Sequence, residues 1–267
     1  MRFASPSTFL FNRFTVSVIV LVLVFLMLRK RFPRDRSTLT GLCVYGVIYT
    51  LVNAGQVFGL AGEGSGVSAV IIYTQPIFVL CLAAPFLKER INLTKILGVI
   101  IGFAGVALLF LNKTGSFSVY YGSILIATAI LWAISAVYYK KFLCSADAFA
   151  AVIVQMVIGT LFLLFLNLGT NNIAFPVNLE YSELILYSAV GAMALGNVLW
   201  LELLSKEEAT TLSSSALLVP AVALFFGWLF LNETLSFLAL IGSIFTLAGV
   251  TLANFAGNRS CPNPQSA

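Results

Sequence analysis

The chain has no histidine and very little charge of either sign. Only 9% of its 267 residues are charged and 60% are apolar, whereas an ordinary soluble domain has about 25% charged residues. So few charges cannot cover a water-exposed surface, which excludes a soluble domain and indicates an integral membrane protein. The lack of histidine excludes histidine-dependent intramembrane proteolysis, acyl transfer and haem ligation in their usual forms.

Motifs for metal, nucleotide and disulfide chemistry are also missing. The four cysteines, Cys43, Cys81, Cys144 and Cys261, do not have the spacing of a metal site or of a disulfide framework. There is no GxxxxGK[ST] phosphate loop, so this chain does not hydrolyse ATP. An intramembrane enzyme would need a catalytic constellation at membrane depth, and the sequence shows none. We therefore expect no cofactor, no metal, no catalytic residue and no enzymatic activity.

Long apolar runs separated by short polar joints make up most of the sequence. Runs of about 20 residues fit membrane-spanning helices, whereas the strands of a membrane barrel alternate over about ten residues. The fold class predicted is thus an all-α integral membrane protein with nine spans. They are 9–28, 39–60, 66–87, 95–111, 119–139, 147–167, 183–204, 209–231 and 234–255.

Basic residues concentrate at one set of span ends. They follow the predicted first, fifth and seventh spans and flank the joint after the third. With Arg259 in the tail placed on the same side, only Arg2, Arg13 and Lys113 are left on or near the other side. This positive-inside bias orients the chain with its N-terminus outside and its C-terminus in the cytoplasm, and we expect a protein of the plasma membrane. The same bias explains the net charge of +5, so we expect the lipid bilayer as a partner and no nucleic acid.

One segment of the chain recurs at a fixed distance. Shifting residues 53–108 by 144 positions superposes polar residues as well as apolar ones. The pairs that coincide include Asn53 with Asn197, Pro76 with Pro220, Glu89 with Glu233 and Gly98 with Gly242. Apolar composition does not produce such a register by accident. We interpret it as an internal duplication, with a first repeat at 1–113 and a second at 114–267.

The second repeat opens with a helix that has no counterpart in the first. Subtracting 144 from 119–139 gives positions upstream of Met1, so the first repeat has four helices and the second has five. A lost span and a start further upstream both fit this pattern. Matching helices are five steps apart and must cross the membrane in opposite directions, which makes the repeats inverted. Inverted repeats place a binding site near the midplane and favour transport by alternating access.

The doubled pattern is recognisable at residues 76–106, which read P-x9-F-L-K-E-R-I-x4-I-L-G-x6-G-V. Its echo at 220–250 reads P-x9-F-L-N-E-T-L, with Gly242 and Gly249-Val250 following. This pattern resembles the EamA-like family of the drug/metabolite transporter superfamily. The resemblance implies ten helices in two inverted five-helix bundles around a central cavity. It also implies a permease or exporter of small metabolites, with amino acids or related compounds as the expected substrates. The opening helix, which would help line that cavity, is absent from this sequence.

Polar and aromatic side chains within the spans are the candidates for substrate contact. An amide in hydrocarbon must face the bundle interior or water, so Asn53 and Asn197 either line a cavity or join helices by hydrogen bonds. Trp132, Ser135 and Tyr139 share a stripe with Thr128, which suits either stacking on a solute or ordinary packing. The predicted substrate-binding residues are Asn53, Gln56, Tyr73, Gln75, Trp132, Ser135, Tyr139, Asn197, Trp200 and Ser214.

Six further residues have predicted structural roles. Pro76 and Pro220 each remove a backbone hydrogen bond inside a helix, which predicts a kink and a hinge. A carboxylate is favourable at a helix N-terminus, so Glu89 and Glu233 are predicted to cap the helix that follows each of them. Gly98 and Gly242 are predicted to let helices approach closely.

These features predict a carrier of a small-molecule solute, with a homodimer left open. One alternative is a nucleotide-sugar or sugar-phosphate carrier of the same superfamily, which would need Lys or Arg near the centre of a span, where none is expected. Another is a non-transporting membrane subunit, which the absent helix makes conceivable. No Asp or Glu is expected near the middle of a span, which favours facilitated diffusion or exchange over tight proton coupling.

Overall fold

A computed structural model describes residues 5–62, 65–110, 118–169, 178–231 and 236–255. Within these ranges the chain has nine helices long and apolar enough to cross a membrane, which confirms the predicted all-helical fold class. We call them the first to the ninth span. They are Pro6–Met27, Arg36–Leu60, Val67–Leu87, Leu93–Phe110, Val119–Phe142, Ala148–Gly169, Leu179–Lys206, Ala209–Phe230 and Phe237–Phe255.

Short polar side chains start several of these helices. The Asn92 Oδ1 accepts a hydrogen bond from the Lys95 amide at 2.9 Å, and the Ser236 Oγ accepts one from the Ala239 amide at 3.2 Å. Asn and Ser are favoured at this position because they satisfy an amide that the helix leaves unpaired. Asn92 and Ser236 are related by the shift of 144, so the duplication preserves the start of the fourth and ninth spans.

The two proline-containing spans are interrupted at equivalent places. The third span lies within the two helices Ser65–Ile72 and Gln75–Leu87, and the eighth lies within Ala209–Ser215 and Leu218–Leu231. Each break lies just before the proline, because proline has no amide hydrogen and its ring displaces the carbonyl four residues earlier. Both repeats therefore contain an interrupted helix at equivalent positions.

The seventh span changes its helix type partway. An α-helix at Leu179–Leu186 passes into a π-helix at Tyr187–Leu195 and returns to an α-helix at Gly196–Lys206. The sequence pattern did not predict this wider turn. Isolated π-helical turns occur often at functional sites.

The fourth and ninth spans are repeat mates that pack directly on each other. A Cβ atom on Gly98 would lie 2.5 Å from the Ala253 amide nitrogen, and one on Gly242 would lie 3.0 Å from that of Leu109. Gly98 and Gly242, like Leu109 and Ala253, are related by the shift of 144. The same contact thus occurs twice, with numbering that rises in one helix as it falls in the other. Duplicated helices that cross antiparallel in this way require a two-fold axis in the membrane plane, which is the inverted repeat.

The fifth span packs against the second at two glycines. Gly55 faces the Thr128 side chain and Gly59 faces that of Leu125. The equivalent positions on the seventh span are Leu199 and Leu203, whose side chains are 49% and 47% exposed. The fifth span covers this surface of the second span. Within the described part of the chain, no helix covers the equivalent surface of the seventh span.

Candidate functional site

The second and seventh spans meet at a hydrogen-bonded seam. The Tyr49 Oη donates to the Asn197 Oδ1 at 2.6 Å, and the Asn197 Nδ2 donates to the Met193 carbonyl at 2.7 Å. The Asn53 Nδ2 donates to the Tyr49 carbonyl at 2.9 Å. Since Tyr49 and Met193 are themselves related by the shift of 144, the two asparagines hold symmetric positions. We call Tyr49, Asn53, Met193 and Asn197 the central seam.

The central seam lies deep in the bundle and crosses the boundary between the repeats. Tyr49 is 11 residues before the end of its span at Leu60, which at 1.5 Å per residue is about 16 Å. The sequence left open whether Asn53 and Asn197 line a cavity or join helices by hydrogen bonds. The hydrogen bond from Tyr49 to Asn197 is such an inter-helix bond. Contact of Asn53 and Asn197 with a solute stays a prediction.

Gln56 and Trp200 lie one turn beyond the asparagines. Both side chains are partly buried, and Trp200 packs against the main hydrophobic core. They continue the same helix faces as Asn53 and Asn197, so the structure keeps these four predicted residues together as two repeat-related pairs.

The stripe on the fifth span reaches the central seam through aromatic rings. Ser135 and Tyr139 are buried, Trp132 is partly buried, and the Ser135 hydroxyl donates to the Trp132 carbonyl at 2.7 Å. The Tyr139 ring lies 5.4 Å from that of Tyr45, which lies 6.2 Å from that of Tyr49. The Tyr139 hydroxyl is buried with no hydrogen-bond partner among the described residues.

The residues before the two prolines form a separate group between the third and eighth spans. The Gln75 Nε2 donates to the Ser213 Oγ at 3.4 Å, and both side chains are buried. Ser214 lies 3.1 Å from the Asn254 Oδ1, and Tyr73 packs against the hydrophobic cluster around Leu217. In the described residues, no hydrogen bond joins this group to the central seam. Pro76 and Pro220 are both buried beside it.

Arg13 is a residue whose place the sequence misjudged. The first span was predicted to begin at residue 9, which put Arg13 near the membrane surface. The helix instead begins at Pro6, with Ser5 as its cap, so Arg13 lies about 10 Å inside the span at 1.5 Å per residue. The pair Ser5-Pro6 is the signal that would have placed the start correctly, because Ser favours the cap and Pro the first turn.

The Arg13 guanidinium has an unusual environment for a cation at this depth. Its Nε is shielded from water and has no hydrogen-bond partner among the described residues. The guanidinium lies 5.5 Å from the centre of the Phe9 ring. No carboxylate of the described residues forms an ion pair with it. The sequence placed Arg13 on or near the outer surface, whereas the structure places it about a third of the way along the first span.

At the end of the bundle that is rich in Lys and Arg, Glu89 caps a helix of the opposite repeat. Its Oε1 accepts from the Ala209 amide at 2.7 Å, and its Oε2 accepts from the Thr210 hydroxyl at 2.7 Å. The prediction that Glu89 caps the helix following it was wrong, because Asn92 caps the fourth span and frees Glu89 to reach the start of the eighth. Glu233, its repeat mate, lies outside the described residues.

Two lysines hold the same turn between the seventh and eighth spans. The Lys95 Nζ forms an ion pair with the Glu208 Oε2 at 2.5 Å, and its side chain is 2% exposed. The Lys140 Nζ donates to the Glu207 carbonyl at 2.7 Å. We call the contacts of Glu89, Lys95 and Lys140 with residues 205–210 the latch. The shift of 144 places Ala239 opposite Lys95 and Gly64 opposite Glu208, so the duplicated sequence has no equivalent of this ion pair.

A cleft of about 540 Å³ opens at the same end, between the second and fifth spans. Its lining includes Arg36, Thr40 and Tyr138 and none of the predicted substrate-binding residues. Nearby, hydrogen bonds from Thr38 hold the pKa of the Asp35 carboxyl below its usual value. The cleft therefore belongs to the polar margin of the bundle and not to the central seam.

Comparison with protein families gives a match over most of the chain. Residues 1–111 and 121–255 both match the model of the EamA-like transporter family. A solved structure superposes with a TM-score of 0.84 over 95% of this chain and 88% of the other, at 14% sequence identity. At that identity the likeness shows the fold alone.

Curated relatives carry names of transporters. An uncharacterized transporter of Archaeoglobus fulgidus is 29% identical over 94% of this chain and 89% of its own length. A probable terminal-alkyne amino-acid exporter of Streptantibioticus cattleyicolor is 29% identical over 91% of this chain and 82% of its own length. These matches agree with the family without assigning a substrate to this chain.

Proposed function

Since the chain belongs to the EamA-like transporter family, we propose that it carries a small organic solute across the plasma membrane by alternating access. Amino acids or related metabolites are the proposed substrates. One relative bears the name of a probable amino-acid exporter, and the central seam offers the hydroxyl and amide groups that such solutes bind.

The latch is the observation that carries the proposal. It joins the end of the third span and the start of the fourth to the start of the eighth, so it closes one end of the bundle by contacts between opposite repeats. In a transporter built from inverted repeats, closure at one end of the bundle alternates with closure at the other. We propose that a solute at the central seam meets one side of the membrane while the latch is closed and the other side after it opens.

We further propose an N-terminus outside, a cytoplasmic latch, and facilitated diffusion or exchange. The bias of basic residues supports this orientation. Coupled transport usually relies on buried carboxylates at membrane depth. In the described spans, Glu180, Glu183 and Glu202 lie toward the ends of the seventh, which supports transport without tight proton coupling.

Counterflow in proteoliposomes tests the proposal. Vesicles loaded with unlabelled amino acids should accumulate the labelled compounds, and Tyr49→Phe should lower the rate about fivefold because one hydrogen bond across the repeat boundary is lost. Tyr120→Phe is the matched control, since Tyr120 is 69% exposed and should leave the rate unchanged. If the wild-type protein moves no solute of any class, the chain is instead a non-transporting subunit.

A further inference from the structure

Arg13 is a cation within the first membrane-spanning helix, and it lacks a counter-ion among the described residues. A charged side chain at such depth is costly and usually faces a cavity or a partner. The Phe9 ring offers a weak cation–π contact at 5.5 Å, which does not neutralise the charge. The position equivalent to Arg13 in the second repeat is Val157, so symmetry of the fold does not require a cation here.

The neighbours of Arg13 place it where the first span meets the second and the seventh. The ring of Phe14, the next residue, lies 6.5 Å from that of Tyr49. One turn further on, the Ser17 hydroxyl donates to the Ala189 carbonyl of the π-helix at 2.9 Å. Arg13 therefore lies on the span that packs against Tyr49 and against the π-helix that contains Met193, two residues of the central seam.

We propose that Arg13 and the Tyr49 hydroxyl bind the carboxylate of the transported solute. A guanidinium presents paired donors that match the two oxygens of a carboxylate. The Tyr49 hydroxyl now donates to the Asn197 Oδ1 and can turn to donate to the anion instead. The site selects solutes with a carboxylate over neutral solutes of the same shape, because only the anion provides the missing charge. This inference rests on the proposed function and narrows its substrate class.

The phosphate of a lipid headgroup offers the same oxyanion chemistry as a solute carboxylate. The first span begins at Pro6, about two turns from Arg13, so a headgroup is the rival source of the anion. The two sources differ in what they affect: a solute site changes flux and selectivity, whereas a lipid site changes stability with lipid composition.

Counterflow with two matched mixtures tests the inference. One contains the labelled amino acids and the other contains their labelled carboxamides, which lack the negative charge. We expect the wild type to transport the acids at least about tenfold faster, the ratio expected for one charge-assisted hydrogen bond. Arg13→Gln should remove this preference by slowing the acids and sparing the carboxamides. Arg13→Lys should restore part of it, because the charge is kept and the paired donors are lost.

Controls separate the outcomes. Arg34→Gln removes an exposed arginine between the first two spans and should leave the preference intact. Equal transport of acids and carboxamides by the wild type overturns the carboxylate site but not the transport function. No flux of either mixture overturns both. If Arg13→Gln leaves acid transport unchanged and abolishes thermal stabilisation by phosphatidylglycerol vesicles, the anion is a lipid phosphate and the proposal fails.

Discussion

The ion pair between Lys95 and Glu208 joins the repeats with almost no access to water. The two side chains are 2% and 13% exposed, so each charge depends on the other for compensation. Removing one partner of a buried pair leaves an unpaired charge, whereas replacing both with neutral groups is far less harmful.

We expect Lys95→Met to lower the free energy of unfolding by about 3 kcal/mol. The double variant Lys95→Met/Glu208→Gln should recover most of that loss. Thermal unfolding in detergent micelles measures both. Lys30 and Asp147 form the matched control, because they are 29% and 31% exposed and Lys30→Met should cost less than about 1 kcal/mol. A Lys95→Met protein as stable as the wild type would show that the pair does not hold the latch.

The sequence predicted the positions of some of these residues and not of others. Asn53 and Asn197 were found because the duplication pairs them, and the structure places them in symmetric positions. The partner of Glu89 lies 120 residues away at Ala209, and no local pattern specifies such a contact. Arg13 was misjudged for a different reason, since a helix start wrong by three residues changes the depth of every side chain in its first turns.

At the scale of helices, the contact between the fourth and ninth spans depends on glycines, which have no side chain. Backbone atoms of the ninth span occupy the space that a Cβ on Gly98 would need, and backbone cannot move aside as a flexible side chain can. Small residues allow membrane helices to approach this closely.

Gly98→Ala should therefore destabilise the protein by about 1–3 kcal/mol through overpacking. Gly169→Ala is the control, because a Cβ at Gly169 would meet nothing within 4 Å and alanine favours a helix. Thermal unfolding of the two variants in the same detergent compares them. Equal stability of both would mean that the fourth and ninth spans are not in direct backbone contact.

The existence and order of the spans could be predicted from the apolar runs, because a helix forms the hydrogen bonds that backbone N–H and C=O groups cannot find in lipid. The breaks before Pro76 and Pro220 followed from the chemistry of proline. The π-helix at Tyr187–Leu195 did not, since its small residues also suit an α-helix and its geometry depends on packing against the first span.

At the scale of the whole molecule, the exposed Leu199 and Leu203 mark where the two repeats differ. Their equivalents in the first repeat, Gly55 and Gly59, are covered by the fifth span. The unequal number of helices in the two repeats could be predicted from the duplication, but the location of the difference on the seventh span required the three-dimensional contacts.

The inverted arrangement predicts opposite exposure for equivalent residues. Asn92 and Ser236 are both exposed repeat mates, so they suit this test. In a protein without its own cysteines, a membrane-impermeant maleimide should label Asn92→Cys only from the cytoplasm and Ser236→Cys only from outside. Labelling of both from one face would rule out the two-fold axis in the membrane plane.

Reversible closure of the latch is the most direct test of alternating access. Arg90 and Glu207 are exposed residues on either side of it, and neither contributes a side chain to it. In the cysteine-free protein, Arg90→Cys/Glu207→Cys treated with a reducible bifunctional thiol reagent should lose amino-acid counterflow, while each single variant keeps it. We expect reduction of the cross-link to restore the flux. Full counterflow by the cross-linked protein would contradict a mechanism in which this end must open.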